Sequence, residues 1–319
     1  MNTGTPLDLT PFGVVLQGTG LLYWLLVLAL LALVLWKAKG VLAKGMLATA
    51  VLVIMVGPVA VYVVQRSAEQ QQAKKQLDAA MALFDMRCKS AGERISRTAA
   101  NVEGVVWMKW RGDKTNDHDQ FKLDDPYGHD CSGEACIADL LRVSKGAELN
   151  PEEANRHSKG YRSVYATDAT GQSRAYAGVI KLRPIWTEEA IARQKARTGK
   201  GVEPSDHEYT IERRPIEKLA GRYGVTWDDI STREDREHWI AGGSLKVVDL
   251  QTNEVIAERV GYMLDRGQGN VGGGRQPWAY AVQDACPEFA RETNDSRRGR
   301  TRHETRDFVL KVLQPSQGE

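Results

Sequence analysis

The chain has 319 residues, of which 43 are Lys or Arg and 41 are Asp or Glu, so its formal net charge is only +2. Apart from Asp8 and three lysines, these charges lie from Arg66 onward, where 40 basic residues balance 40 acidic ones. Nucleic-acid-binding domains usually carry a basic footprint, so this balance argues against a nucleic-acid partner. The roughly 250 residues after Arg66 suffice for one sizeable core.

Two uncharged apolar segments open the chain. No charged residue lies between Asp8 and Lys37, and a second uncharged segment extends from Gly45 to Gln65. A helix that crosses a bilayer needs roughly 20 mainly apolar residues, and its backbone groups must bond internally because lipid offers no water. The sequence therefore predicts a two-helix transmembrane hairpin in residues 1–66, with helices at about 14–36 and 45–64. A cleaved signal peptide is disfavoured because the first 20 residues contain no Lys or Arg.

The lysines near the hairpin predict its orientation. The connector, residues 37–44, contains three lysines, and the N-terminal tail contains none. Basic residues at 66, 74 and 75 reduce this contrast. The positive-inside rule still places the connector in the cytoplasm and both termini on the other side, in the periplasm of a bacterial inner membrane. The reversed orientation, with a cytoplasmic domain, stays open.

The second apolar segment contains Gly57 and Pro58 at its middle. Proline removes one backbone donor and clashes with the preceding turn, so we expect a kink there. A static bend is one interpretation, since Gly and Pro are common in membrane helices. A membrane hinge at Gly57 and Pro58 is the other.

All four cysteines follow the hairpin. An even number in an oxidising compartment predicts two disulfides, for which three pairings exist. We favour Cys131 with Cys136, which closes a short loop, and Cys88 with Cys286, which joins the front of the domain to its back. Four free thiols are the alternative. A zinc site is disfavoured because Cys88 and Cys286 have no neighbouring cysteine in sequence.

Residues 67–100 predict a juxtamembrane helix. The segment lacks Pro, and Leu77, Met81, Phe84 and Cys88 recur at spacings of three and four. This spacing places them along one apolar stripe. The stripe either packs on the domain or forms a dimer interface.

Residues 101–319 predict one mixed α+β domain with antiparallel β-hairpins. Strand and turn patterns predict a strand at 101–110, hairpins at 161–167 with 174–182 and at 244–250 with 255–264, and strands at 208–213 and 307–313. Helices are expected at 135–143, from Thr187 to about 197, and at 278–291. We find neither an internal repeat nor a linker, which favours one domain over two.

An acidic loop at 113–130 is the best candidate metal site. Carboxylates and imidazoles that lie close together bind divalent cations. The candidate ligands are Asp117, His118, Asp119, Asp124, His129 and Asp130. The loop departs from an EF-hand, since His118 stands where that motif needs Gly and Asp124 where it needs Glu. A solvated loop is the alternative.

Two further motifs are weak. Residues 219–230 resemble the core of a helix-turn-helix, but acidic residues follow where DNA phosphates would lie, so we expect an ordinary turn and an acidic helix. Gly267, Gly269 and Gly272 spell G-x-G-x-x-G, but more Gly and Pro277 follow instead of a helix. We expect a flexible loop there. Neither G-x-S-x-G nor H-E-x-x-H occurs.

These patterns favour a non-enzymatic, membrane-anchored envelope protein that presents a disulfide-stabilised extracytoplasmic domain for protein interaction or sensing. Its expected partners are the lipid bilayer and other envelope proteins or a second copy of itself, with no nucleic acid. No cofactor is expected apart from a possible divalent metal in the acidic loop. The alternative is a membrane-tethered, metal-dependent hydrolase that uses residues 113–130.

Overall fold

The computed structural model describes residues 11–112, 118–121, 130–143, 158–203, 206–288 and 304–316, with side chains from Leu22 onward. The chain divides into two compact units, Met1–Lys75 and Gln76–Glu319. The part of the chain that the structure describes contains seven α-helices.

The first unit is built from two apolar helices. α1 comprises Pro11–Lys37, and α2 begins at Val41 and continues to Cys88. α2 is long and apolar enough to cross a membrane, whereas the apolar part of α1 with described side chains, Leu22–Lys37, is shorter. Most of the exposed large apolar side chains in the described chain lie between residues 22 and 64. The Tyr23 hydroxyl donates to the Met55 carbonyl and so links the two helices.

The second helix differs from its prediction at both ends. The connector is only residues 38–40 instead of 37–44, and α2 is helical through Gly57 and Pro58. The predicted helix at 67–100 is too long, because α2 ends at Cys88. Gly92, at a φ of +125°, then starts strand β1 (Gly92–Ile95), which is followed by β2 (Ala99–Val102). Glycine adopts this positive φ without the strain that other residues incur, so the chain leaves the helix here.

A nine-stranded mixed sheet forms the centre of the second unit. Besides β1 it contains β3 to β10, which are Gly104–Trp107, Ser163–Thr167, Ser173–Leu182, His207–Pro215, Tyr223–Asp229, Ile240–Asp249, Glu254–Leu264 and Ala285–Cys286. The strand order is β1-β9-β8-β7-β3-β4-β5-β6, and β10 also pairs with β9. Strands β7, β3 and β4 are parallel, and the remaining pairs of this sheet are antiparallel. The domain is therefore mixed α+β.

Both predicted hairpins are confirmed. β4 pairs with β5 and β8 pairs with β9, each in antiparallel register across a short turn. Strand β7 is not among the predicted strands, because the pattern of residues 219–230 predicts a turn and an acidic helix. Val225 and Trp227 of β7 are buried at alternate positions, which is the strand period. Strand β11 (Leu313–Pro315) pairs in parallel with β2, and this pair lies outside the main sheet.

Five further helices complete the described chain. They are α3 (Gly133–Leu140), α4 (Glu188–Thr198), α5 (Arg233–Glu237), α6 (Pro277–Ala281) and α7 (Glu304–Val312). The Thr187 hydroxyl caps α4 as expected by accepting from the Ala190 N–H at 3.2 Å. The helix predicted at 278–291 is shorter in the structure, where α6 ends at Ala281.

The predicted strand at 307–313 is wrong, because α7 occupies most of it. Thr305, Phe308, Val309 and Val312 are buried at spacings of three and four, as one face of a helix requires. The Asp130 carboxylate accepts hydrogen bonds from the backbone N–H groups of Glu304 and Thr305 at 3.1 and 2.7 Å. It therefore satisfies two of the free donors at the start of α7.

Apolar residues pack the sheet against the helices. The largest cluster includes Trp107 from β3, Ile137 from α3 and Phe308 from α7. A second cluster buries Ala80 and Leu83 of α2 against strands β8 and β9, with Met81 and Phe84 at its margin. The buried face of α2 is thus centred on Ala80 and Leu83, and of the predicted stripe Met81 and Phe84 lie at its margin.

Candidate interaction site

All four cysteines are paired. The sulfur atoms of Cys88 and Cys286 are 1.98 Å apart, and those of Cys131 and Cys136 are 2.16 Å apart. The first pair joins the last residue of α2 to β10, across 198 residues of sequence. The second pair joins the segment before α3 to that helix. Both pairs are at disulfide distance.

The predicted metal loop is only partly described. Asp117, Asp124 and His129 lie outside the described residues. Of the other three candidates, Asp119 accepts from the Phe121 N–H through its carboxylate and from the Trp278 indole through its carbonyl, each at 3.0 Å. Asp130 caps α7. Within the residues that the structure describes, including His118, no three His, Cys, Asp or Glu side chains are grouped to hold a metal.

The glycine-rich loop is held by one buried carboxylate. Asp265 accepts the N–H groups of Gly267 and Gly269 at 3.0 and 2.8 Å and forms an ion pair with Arg275. Gly269 has a φ of +78°, and a Cβ there would lie 2.2 Å from the Trp239 ring. The predicted loop is therefore held by hydrogen bonds among its own residues. Gly269 lets its backbone pack closely against the Trp239 ring. It opens no helix of the kind that binds phosphate.

Two adjoining grooves form a concave surface on the described domain. The strand-start groove, of about 820 Å³, lies where β3, β4 and β7 begin. The ribbon groove, of about 1340 Å³, lies between the β5–β6 pair and the C-terminal segment that includes β11. Glu103 and Arg162 line both grooves. We call the two together the basic groove.

Two glycines shape the ribbon groove. A Cβ at Gly160 would lie 2.6 Å from the Leu140 carbonyl oxygen, and one at Gly178 would lie 2.8 Å from the Arg142 carbonyl oxygen. Real Cβ atoms are not found this close to backbone oxygen, so a side chain at either position would push the neighbouring segments apart. The glycines therefore allow the backbone segments beneath the groove to touch.

The charge of the basic groove differs from that of the whole domain. Among the described residues that line it, three are acidic, namely Glu103, Glu212 and Asp307. Eight are basic, namely Arg142, Lys159, Arg162, Arg214, Lys218, Arg222, Arg306 and Lys311. A formally neutral domain thus presents a surface with excess positive charge, where anions are attracted.

Several of these cations already have protein partners. Arg222 binds the buried carboxylate of Asp249 at 3.0 Å, and its hydrogen bonds lower the pKa of Asp249 below the ordinary value. Lys311 pairs with Glu93 at 2.6 Å, and Arg214 pairs with Glu212 at 3.0 Å. These ion pairs fix the positions of three of the groove's cations.

Three cations are uncommitted. The side chains of Lys159, Arg162 and Lys218 are exposed and make no hydrogen bond or ion pair with the described residues. Arg162 lies where the two grooves meet. Such side chains can bind an incoming anion without breaking an existing ion pair. The sequence did not reveal this group, because its members are far apart in a chain of balanced charge.

A free sheet edge adjoins the groove. β6 pairs with β5 over nine residue pairs, and no strand of the described chain pairs with its other edge. Glu212 and Arg214 of β6 belong to the wall of the ribbon groove. The backbone N–H and C=O groups on such an edge can pair with another chain.

No protein-family model matches this chain, and no curated protein or solved structure shows significant similarity to it.

Proposed function

We propose that this chain is a membrane-anchored envelope protein whose two N-terminal helices hold a disulfide-bonded domain outside the cytoplasm for interaction with another protein. The observation that carries the proposal is the pairing of all four cysteines at disulfide distance. Such bonds form and persist in oxidising compartments and are rare in the cytosol.

The anchor in this proposal is a two-helix hairpin. α2 satisfies the length and composition of a membrane helix, and the exposed apolar side chains of residues 22–64 would be costly in water. The short lysine-containing connector then faces the cytoplasm, and both termini face the periplasm of a bacterial inner membrane. The hinge at Gly57 and Pro58 stays a prediction.

The last turns of α2 are fixed to the folded domain in three ways. Ala80 and Leu83 are buried against the sheet, and Arg87 binds the buried Asp235 carboxylate at 2.8 Å. Cys88 bonds to Cys286. The end of α2 is therefore part of the folded unit Gln76–Glu319.

The interaction role rests on the basic groove and the free edge of β6. Both are features that a binding protein uses, because they offer cations and strand backbone groups that no described residue pairs with. The metal-dependent hydrolase is the alternative function, and no group of described residues could hold its metal.

Protease access to a C-terminal epitope tag tests the proposed orientation. Proteinase added to spheroplasts is expected to remove the tag while a cytoplasmic marker stays intact, and the protein is expected to stay in the membrane pellet after alkaline carbonate extraction. A tag that survives until the membrane is lysed would contradict the outward-facing domain. Release by carbonate would contradict the anchor.

A further inference from the structure

We propose that the basic groove and the free edge of β6 together form a docking site for an extended acidic segment of a partner polypeptide, which adds to the sheet as a strand beside β6. This inference rests on the proposed interaction function and names the chemistry of the partner. It combines two independent observations, an edge of β6 that no described strand pairs with and a local excess of positive charge.

The edge supplies the backbone contacts. β6 is nine residues long, and no described strand covers its outer side. Helix α4, in the segment between β5 and β6, has no buried residue. An incoming strand can therefore reach the N–H and C=O groups of β6, which is the usual way in which a sheet edge captures an extended peptide.

The groove supplies the side-chain preference. Glu212 and Arg214 are two residues apart, so they share one face of β6, and this face belongs to the ribbon groove. Ala177 of β5 lies opposite Glu212 in the register and is small. An added strand would place every second side chain on this face, near a surface with excess basic residues. Glutamate or aspartate at those alternate positions fits the uncommitted Lys159 and Arg162.

A polypeptide fits these features better than a nucleic acid or an anionic lipid surface. Three carboxylates, Glu103, Glu212 and Asp307, stand among the cations of the groove and repel a dense row of phosphates. Phosphate polymers and lipid vesicles also cannot form the backbone pairs of a strand.

The test uses the whole 319-residue chain in detergent, with both disulfides intact. The probe is a fluorescent peptide of about nine residues, the length of β6, with Glu at alternate positions and Thr or Val between them. Three comparison probes are a peptide with Lys at those positions, the Glu peptide with alternate backbone amides methylated, and a single-stranded oligonucleotide. Phosphatidylglycerol vesicles serve as a fourth.

We expect the Glu peptide to bind more tightly than all four comparison probes. Binding should weaken as salt rises from about 0.05 to about 0.5 M, because exposed charges are screened. Hydrogen exchange of the β6 backbone amides should slow in the complex. Equal binding of the methylated peptide would overturn strand addition, and equal binding of the oligonucleotide or vesicles would overturn the choice of a polypeptide.

Single charge reversals in the groove give the residue-level test. Arg162→Glu and Arg214→Glu should each weaken binding of the Glu peptide about tenfold, since an attraction becomes a repulsion. Arg197→Glu on α4 is the matched control, because this exposed arginine does not line the groove, and its affinity should be unchanged. Arg162→Gln, which removes the charge without reversing it, should have a smaller effect.

Thermal unfolding of each variant checks that it is folded. An unchanged affinity in folded Arg162→Glu and Arg214→Glu would overturn the docking site, as would the absence of binding by any probe. These outcomes are independent of the proposed orientation, which the protease experiment decides in cells.

Discussion

Two buried tyrosines in the same core have different surroundings. The Tyr161 hydroxyl donates to the Leu313 carbonyl at 2.6 Å, whereas the Tyr176 hydroxyl has no hydrogen-bond partner in the described chain. Burial raises the pKa of both phenols above the ordinary value. Both hydroxyls are therefore protonated donors, and among the described residues only that of Tyr161 has acceptors, the Leu313 carbonyl of β11 and, at 3.4 Å, the Val309 carbonyl.

This difference predicts opposite outcomes for one substitution. Tyr161→Phe should lower the free energy of unfolding by about 1–2 kcal/mol, because the Leu313 carbonyl loses its donor in the core. Tyr176→Phe should leave it unchanged or raise it slightly, because an unsatisfied hydroxyl is removed. Denaturant unfolding of both variants measures this. Equal losses in the two variants would contradict the assignment of partners.

A buried carboxylate beside the strand-start groove predicts a dependence on pH. Asp249 binds Arg222 and Arg97 at 3.0 and 2.9 Å, and the Arg222 hydrogen bonds lower its pKa. A lowered pKa in the folded state stabilises the protein above the unfolded value of about 4, and this stabilisation is lost as the pH falls below it. The melting temperature of the wild type should therefore decrease from about pH 5 to about pH 3.

The variant Asp249→Asn should have a lower melting temperature at neutral pH and a weaker decrease on acidification. Asp307→Asn, in which an exposed carboxylate is replaced, is the control and should follow the wild type. An acid-induced decrease in Asp249→Asn as steep as that of the wild type would show that other carboxylates cause it.

At the scale of elements, sequence patterns predicted the elements whose contacts join residues close together in the chain. The hairpins β4–β5 and β8–β9 close over short turns, so their turn residues were sufficient. β7 was missed because its parallel neighbour β3 lies more than 100 residues earlier in the chain. α7 was mistaken for a strand because its apolar residues are dense, and the carboxylate that caps it, Asp130, is 174 residues away.

The two disulfides should differ in their contribution to stability. In the chain-entropy model, a crosslink stabilises more when it closes a longer loop. The sequence separations of 198 for Cys88–Cys286 and 5 for Cys131–Cys136 correspond to about 5 and about 2 kcal/mol at 25 °C. Replacing both members of each pair with Ser and measuring unfolding by denaturant tests this order. A larger loss for the Cys131–Cys136 pair would contradict it.

At the scale of the molecule, the sequence predicted the location of the apolar segments and an α+β domain, but not the basic groove. The basic residues of the groove come from positions 142 to 311, and only the pairing of distant strands brings them together. Overall neutrality concealed this local charge. The strongest sequence candidate, the acidic loop at 113–130, lies largely outside the described residues.

The central claim is an outward-facing domain held by two disulfides, and thiol labelling of the four native cysteines tests it most directly. Cells are labelled intact, and then after lysis and denaturation, with and without reductant. The account predicts that all four cysteines resist labelling until a reductant is added. Four thiols that label after lysis and denaturation without reductant, but not in intact cells, would contradict both the disulfides and the extracytoplasmic location.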